Sequence, residues 1–126
     1  MTKLGHHLEI CFSVKNMTES IEFYSRLGFK IYTGGSDKGW CTMTREGVYI
    51  AMFPDKFIDK EFNVPILLNF RGGNLSKIVP QLENQGIKFT KQNVKGDGTG
   101  DAIFVDPDGI KFYIDTSLNE ERVNVE

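Results

Sequence analysis

Few side chains in this chain are suited to chemistry, and Glu9 is the sharpest of them. It lies in Leu8 to Lys15, where apolar Leu8, Ile10, Phe12 and Val14 alternate with Glu9, Cys11 and Ser13. That is the period of a strand with one face in a core. Glu9 projects from the other face, where a carboxylate among apolar groups is desolvated unless it is paired. There it can anchor a cationic or hydroxyl-bearing ligand or act as a general base. A structural role competes, in which Glu9 pairs with Lys111 or bonds Tyr113. His7 shares a face with Glu9 if the strand reaches that far. The plainer expectation for His6 and His7 is a solvent-exposed, frayed terminus. Both histidines lie at this one end of the chain, so no Ser-His-Asp or Cys-His constellation is available.

Other motifs read as architecture. Gly96-Asp-Gly-Thr-Gly-Asp101 lacks the Lys-Ser/Thr of a phosphate loop and the alternating acids of a calcium loop, so it is expected to be a flexible hairpin. Asp106-Pro-Asp-Gly109 is a turn whose residues suit backbone angles. Cys11 and Cys41 are the only cysteines, both in strand-like stretches without CxxC spacing, and are expected to be buried free thiols.

The elements that position these residues come in duplicate. A strand, a helix-like run to Leu27, Gly28-Phe-Lys-Ile31 and Gly47-Val-Tyr-Ile-Ala-Met-Phe53 recur as Pro65 to Phe70, a second helix-like run, Gly86-Ile-Lys-Phe89 and Gly109-Ile-Lys-Phe-Tyr-Ile114. The offsets are about 56 residues at the first strand (Val14 to Phe70), 58 after the helix (Gly28 to Gly86) and 62 at the last hairpin (Gly47 to Gly109). Slippage of this kind falls in loops.

In the first unit a helix is expected from Met17 to Leu27, with Met17, Ile21, Tyr24 and Leu27 as its stripe and strands at Phe29–Thr33, Trp40–Arg45 and Val48–Phe53. In the second, a helix from Asn74 to Gln85 carries Leu75, Ile78, Val79 and Leu82, with Pro80 as a defect that kinks it or weakens its first turns. Strands follow near Ile87–Val94, Asp101–Val105 and Lys111–Thr116.

The expected fold is α+β: two tandem βαβββ modules forming an eight-stranded cup, with one helix packed on each module. Module 1 spans about 8–54, a linker 55–64, module 2 about 65–116, and a frayed or loosely docked tail 117–126. The whole is a single domain, as 126 residues with 40% hydrophobic content suggest. The faces turned away from the helices line the cup with Glu9, Cys11 and Ser13, Tyr49, Ala51 and Phe53, Pro65, Leu67 and Asn69, and Lys111, Tyr113 and Asp115. Tyr49, Phe53, Tyr113 and Trp40 can stack on a planar ligand, each good contact adding about 1 kcal/mol, or pack together and fill the cup.

A net charge of −2 with dispersed Lys and Arg offers no footprint for nucleic acid or an anionic membrane. No apolar run is long enough to span a bilayer, and the N-terminus lacks a signal peptide's hydrophobic stretch. A cytoplasmic protein is expected.

Val14-Lys-Asn-Met-Thr-Glu-Ser-Ile-Glu-Phe-Tyr-Ser-Arg-Leu-Gly-Phe29 resembles the V-x-D-x-x-x-S-x-x-F-Y-x-x-x-L-G-F run of the vicinal oxygen chelate superfamily, which includes glyoxalase I, bleomycin resistance proteins and extradiol dioxygenases. Phe104-Val-Asp-Pro-Asp-Gly109 resembles that superfamily's F-x-D-P-D-G turn. Asn16 replaces the common Asp, and the stretch from Ser25 to Leu27 is one residue short.

The resemblance implies a homodimer and, in the metal-dependent members, a divalent ion held by up to four His, Glu or Gln side chains from the first and fourth strands of each module. Those positions fall on Glu9, Ala51, Pro65 and Tyr113. Ala51 and Pro65 have no donor atom, and a phenol stays protonated at neutral pH. No metal or other cofactor is therefore expected.

The resemblance then implies a small-molecule binding protein like the bleomycin resistance group, sequestering its ligand in a metal-free cup. Its contacts would be Glu9, Cys11, Ser13, Trp40, Tyr49, Phe53, Asn69, Lys111 and Tyr113. The alternatives are a glyoxalase- or dioxygenase-like lyase or isomerase using Glu9 as the catalytic residue, with non-standard ligands such as His7 or none, and a structural module with a filled cup.

Overall fold

A computed structural model of the chain describes residues 7–54 and 67–121. It divides into two compact units, residues 1–64 and 65–126, each a βαβββ module. The eight strands expected from the repeat are present as two four-stranded sheets, one in each module. The linker and Pro65 lie outside the described residues. No helix among those described is long and apolar enough to cross a membrane.

Module 1 runs β1 (Ile10–Val14), α1 (Met17–Arg26), β2 (Lys30–Gly35), β3 (Trp40–Arg45) and β4 (Val48–Pro54), with strand order β1-β4-β3-β2. β1 lies parallel to β4 and the other pairs are antiparallel. Asn16 starts α1 by accepting the Glu19 amide on its side-chain oxygen at 3.0 Å, satisfying a donor the helix leaves free. The core holds Phe12, Val14, Cys41, Met43, Ile50 and Met52 from the sheet, closed by Phe23 and Tyr24 of α1 and by Phe29.

The helix buries Ser20, Phe23 and Tyr24, while Met17, Ile21 and Leu27 are half-buried, so the inward stripe is rotated from the expected one. Tyr24 sets this orientation. Its ring meets Phe12, Phe23 and Phe29 at 5.9, 5.3 and 5.6 Å, and a small residue one turn earlier, Ser20, permits close approach.

Module 2 repeats the plan with β5 (Leu67–Arg71), α2 (Leu75–Asn84), β6 (Phe89–Val94), β7 (Gly100–Val105) and β8 (Lys111–Thr116), in order β5-β8-β7-β6. Asn74 caps α2 as Asn16 caps α1. α2 continues through Pro80, an exposed position, and buries Leu75 and Val79 against Ile87, Phe104, Phe112 and Ile114. Phe112 stacks between Phe70 and Phe104, with centroids at 5.9 and 4.8 Å. Asp106 Oδ1 accepts the amides of Asp108 and Ile110, both at 2.8 Å, which builds the expected turn.

One expectation fails here. Residues 117–121, expected to be frayed or loosely docked, are tied down. The Gly73 amide donates to Glu121 O at 2.8 Å, and Glu120 accepts from the amide and hydroxyl of Ser117 and from Arg71. The Gly96–Asp101 stretch is the expected hairpin, joining β6 and β7, with Asp97 Oδ1 accepting both the amide and the hydroxyl of Thr99 and Gly98 O accepting the Leu75 amide. In both places local acceptors act together with bonds to segments distant along the chain, Gly73 and Arg71 for the tail and Leu75 for the hairpin, and hydrophobic periodicity carries no signal of either.

Candidate functional site

In module 1 the sheet face turned away from α1 collects Cys11, Ser13, Ala51 and Phe53 by register, with Cys11 opposite Ala51 and Ser13 opposite Phe53. Glu9 and Tyr49 belong to the same alternation set. Glu9 is half-buried, with 28% of its side chain exposed, and its Oε2 lies 2.8 Å from His7 Nε2. His7 is thus not an idle terminal residue. Its ring packs edge-on against Tyr49 at 4.3 Å and stacks toward Tyr32 at 6.0 Å, while Tyr32 and Tyr49 meet at 5.0 Å. Within module 1 the donor to Glu9 is His7, two residues away, because alternation puts the two side chains on the same side.

Tyr32 was absent from the sequence-derived lining. The ladder between β2 and β3 shifts register between Ile31 and Thr33, and such a bulge re-aims the extra side chain. Nothing in the local pattern announces a bulge.

Cys11 is exposed, against expectation, and only Cys41 is buried. The open face of β1 is not covered by α1, so a strand position does not by itself bury a thiol. Desolvation, and secondarily the Glu9 charge, hold the Cys11 thiol above its usual range. Ser13 Oγ is enclosed and lacks a hydrogen-bond partner among the described residues. Trp40 opens β3 opposite Gly35, 38% exposed, and its ring crosses Gly34, where a Cβ would meet it at 2.8 Å. Phe53 is half-buried.

The corresponding face of module 2 is polar. Asn69 is opposite Tyr113 and Arg71 opposite Asp115, while Asp115 and Tyr113 face Asp101 and Ile103 of β7. Asn69 Nδ2 donates to Tyr113 O at 2.8 Å and to Asp115 Oδ1 at 3.0 Å. Arg71 donates to Asp115 Oδ2 at 2.8 Å and to Glu120 Oε1 at 2.9 Å. These contacts leave Asp115 16% exposed but fully paired. Hydrogen bonds from Ser117, and then Arg71, lower the Glu120 carboxyl, while Tyr113 is raised first by donating to Asp101 Oδ2 at 3.0 Å and then by burial and the Asp101 and Asp115 charges. Lys111 is exposed at the start of β8.

Sheet register also corrects the alignment of the two modules. Cys11 pairs with Ala51 and Asn69 with Tyr113, and the helix caps are Asn16 and Asn74, so β1 and β5 correspond at an offset of 58 rather than 56. The counterpart of Glu9 is therefore Leu67, not Pro65. A two-residue slip preserves the face of every side chain, which is why alternation could not detect it.

The four equivalent positions become Glu9, Ala51, Leu67 and Tyr113. Two have no donor atom, and the Tyr113 hydroxyl is committed to Asp101. Among the described residues no three His, Cys, Asp or Glu side chains converge as metal ligands. The donor set does not fit the four-ligand ion of the metal-dependent enzymes.

The sequence profile of the Glyoxalase/Bleomycin resistance protein/Dioxygenase superfamily matches residues 4–114. Among solved structures, a protein from the mobile metagenome of V. Pseudocholerae is similar at 25% identity and a TM-score of 0.70, covering 94% of this chain and 99% of that one. A glyoxalase/bleomycin resistance protein/dioxygenase from Nocardioides is similar at 16% identity and a TM-score of 0.73, covering 100% of this chain and 92% of that one. A bleomycin resistance determinant encoded on the transposon Tn5 is similar at 20% identity and a TM-score of 0.64, with 90% and 99% covered.

Proposed function

Because the chain belongs to the Glyoxalase/Bleomycin resistance protein/Dioxygenase superfamily yet lacks the donors for its four-ligand ion, we propose that it is a small-molecule binding protein that holds its ligand without a metal or other cofactor. The observation that carries this is the open face of module 1, where Glu9 pairs with His7 and the His7 ring meets those of Tyr32 and Tyr49. Glu9 spends one oxygen on His7, and the other accepts no hydrogen bond among the described residues. A planar ligand bearing a donor group is complementary to such a face: the rings stack on it and the carboxylate takes its N–H or O–H. The protein acts as a cytoplasmic homodimer, with no nucleic-acid or membrane partner.

The His7–Glu9 pair favours a second reading, an isomerase or lyase in which Glu9 takes a proton from the ligand and His7 orients the carboxylate. It differs from the first by turnover.

The test is a thermal-shift screen of planar aromatic and cationic compounds on protein purified without chelator, alongside metal analysis and light scattering. A ligand at about one hundred times its Kd stabilises by about 2.7 kcal/mol, which for a domain of this size is a shift of about 10 °C. Hits are expected to vanish in Glu9→Gln and Tyr49→Ala. Retention of every hit in both variants, or about one equivalent of bound metal whose removal abolishes binding, sinks the proposal.

A further inference from the structure

Part of the open face of module 1 is occupied by the chain itself. The His7 imidazole lies with Nε2 2.8 Å from Glu9 Oε2, edge-on to the Tyr49 ring at 4.3 Å and at 26° to the plane of the Tyr32 ring at 6.0 Å. A carboxylate oxygen can only accept, so Nε2 is the donor. These are the contacts that a planar ligand bearing an N–H would make, with a carboxylate taking the proton and aromatic rings meeting the plane. All four residues belong to module 1, so the arrangement is complete within one unit.

His7 is seated there by its side chain, not by a place in the sheet. The β1–β4 ladder begins only at Ile10, opposite Ile50. Leu8, its neighbour, is 82% exposed and buries almost nothing. The His7 side chain is 45% exposed and that of Glu9 28%, so their pair is open to water, where such contacts contribute little. Swinging the ring away breaks that pair and the contacts to two tyrosines while the ladder stays intact. Contacts of this strength sustain an equilibrium of about ten to one in favour of the seated ring.

We propose that His7 is an internal stand-in for the ligand: the face around Glu9 takes a planar nitrogen heterocycle of the imidazole class, which binds by displacing the His7 ring. The stand-in role presupposes that this face is the ligand site. It adds the chemical class of the ligand and an autoinhibitory contact, because only molecules with His7 unseated are competent to bind. The second oxygen of Glu9, which accepts no hydrogen bond among the described residues, narrows the class further. A cyclic guanidine of the 2-aminoimidazole type has a ring N–H and an exocyclic N–H that run parallel and match both carboxylate oxygens.

The experiment is NMR titration of the intact chain with 2-aminobenzimidazole, following the amides of Glu9 and Tyr49 and the ring protons of His7 and Tyr32. In the wild-type protein, binding is expected to remove the ring-current shift that Tyr49 imposes on the His7 ring protons. In His7→Ala the seat is vacant, and the Kd is expected to fall about tenfold. Benzimidazole, which lacks the second donor, is expected to bind about tenfold more weakly than 2-aminobenzimidazole, and Glu9→Gln to weaken both by about tenfold or more.

A Kd unchanged or raised in His7→Ala overturns the proposal, because losing a residue that orients Glu9 for the ligand weakens binding and losing a stand-in strengthens it. Binding to the wild-type protein with the His7 ring protons unmoved also overturns it, as does no binding to either protein at about 10 mM. In each of these cases the binding reading stands or falls separately, on whether hits from the compound screen are lost in Glu9→Gln and Tyr49→Ala.

Discussion

Gly100 is expected to be the least replaceable glycine of module 2, and the cost of replacing it is readable from its surroundings. It opens β7 between two partners, opposite Val94 of β6 and Thr116 of β8. Its φ is +126°, a conformation that costs a residue with a side chain about 1–3 kcal/mol. A Cβ there would fall on the Asn93 carbonyl oxygen, with Asn93 C and Val94 Cα both at 3.0 Å. All three are backbone atoms of the neighbouring strand, so relief requires β6 to part from β7 at this end. One or two ladder hydrogen bonds are then weakened, at about 1 kcal/mol each. Gly100→Ala is therefore expected to destabilise by about 2–5 kcal/mol, a substantial part of an ordinary domain's margin of about 5–15 kcal/mol.

Gly109 supplies the control. Its φ is +87°, but a Cβ there meets nothing within 4 Å, so Gly109→Ala carries only the backbone cost of about 1–2 kcal/mol. Urea unfolding, monitored by a probe in module 2, measures both. With a slope of about 1–3 kcal/mol per molar, the midpoint of Gly100→Ala is expected to fall about 1 M or more below that of Gly109→Ala. Equal losses in the two variants, within about 0.5 kcal/mol, would show that close strand approach does not constrain this corner and that its glycine serves backbone angle alone.

Two further outcomes follow from packing and electrostatics. Phe112→Ala removes the middle ring of the Phe70–Phe112–Phe104 stack and is expected to cost about 3–5 kcal/mol in the same assay, whereas a cost below about 1 kcal/mol would mean the stack collapses without a cavity. The Cys11 thiol is raised, so at neutral pH it is almost wholly protonated despite its exposure. Its alkylation by iodoacetamide is expected to be slower than that of a free cysteine, to accelerate only as pH climbs through the alkaline range, and to speed up in Glu9→Gln, which lacks the neighbouring charge. A Cys11 rate at pH 7 equal to that of a model thiol would contradict this.

Much of the scaffold was legible in the chain itself because its determinants are local. The alternation in Leu8–Lys15, the glycines after each helix and the Asp106–Gly109 turn are properties of short segments, and they sufficed to place two βαβββ units in order. Helix orientation was less legible, since Ser20 replaces the expected Met17 and Ile21 on the inward face through the fit of one ring, Tyr24, among three others.

The site divides along the same line. Residue types alone argued against the family's four-ligand set, because Ala51 and either candidate on the second module's first strand, Pro65 or Leu67, have no donor atom wherever the chain carries them. Which of the two is the counterpart of Glu9 needed the sheet, since a slip by two residues leaves every face unchanged. Alternation already offered His7 to Glu9, but only the tertiary structure brought Tyr32, through a bulge, to His7 and Tyr49, and Arg71, Asp115 and Glu120 to one another across 44 and 49 residues of sequence. The strand pattern states which side of a sheet a side chain occupies. Which neighbours it meets there depends on register, and register is decided by contacts between segments distant along the chain.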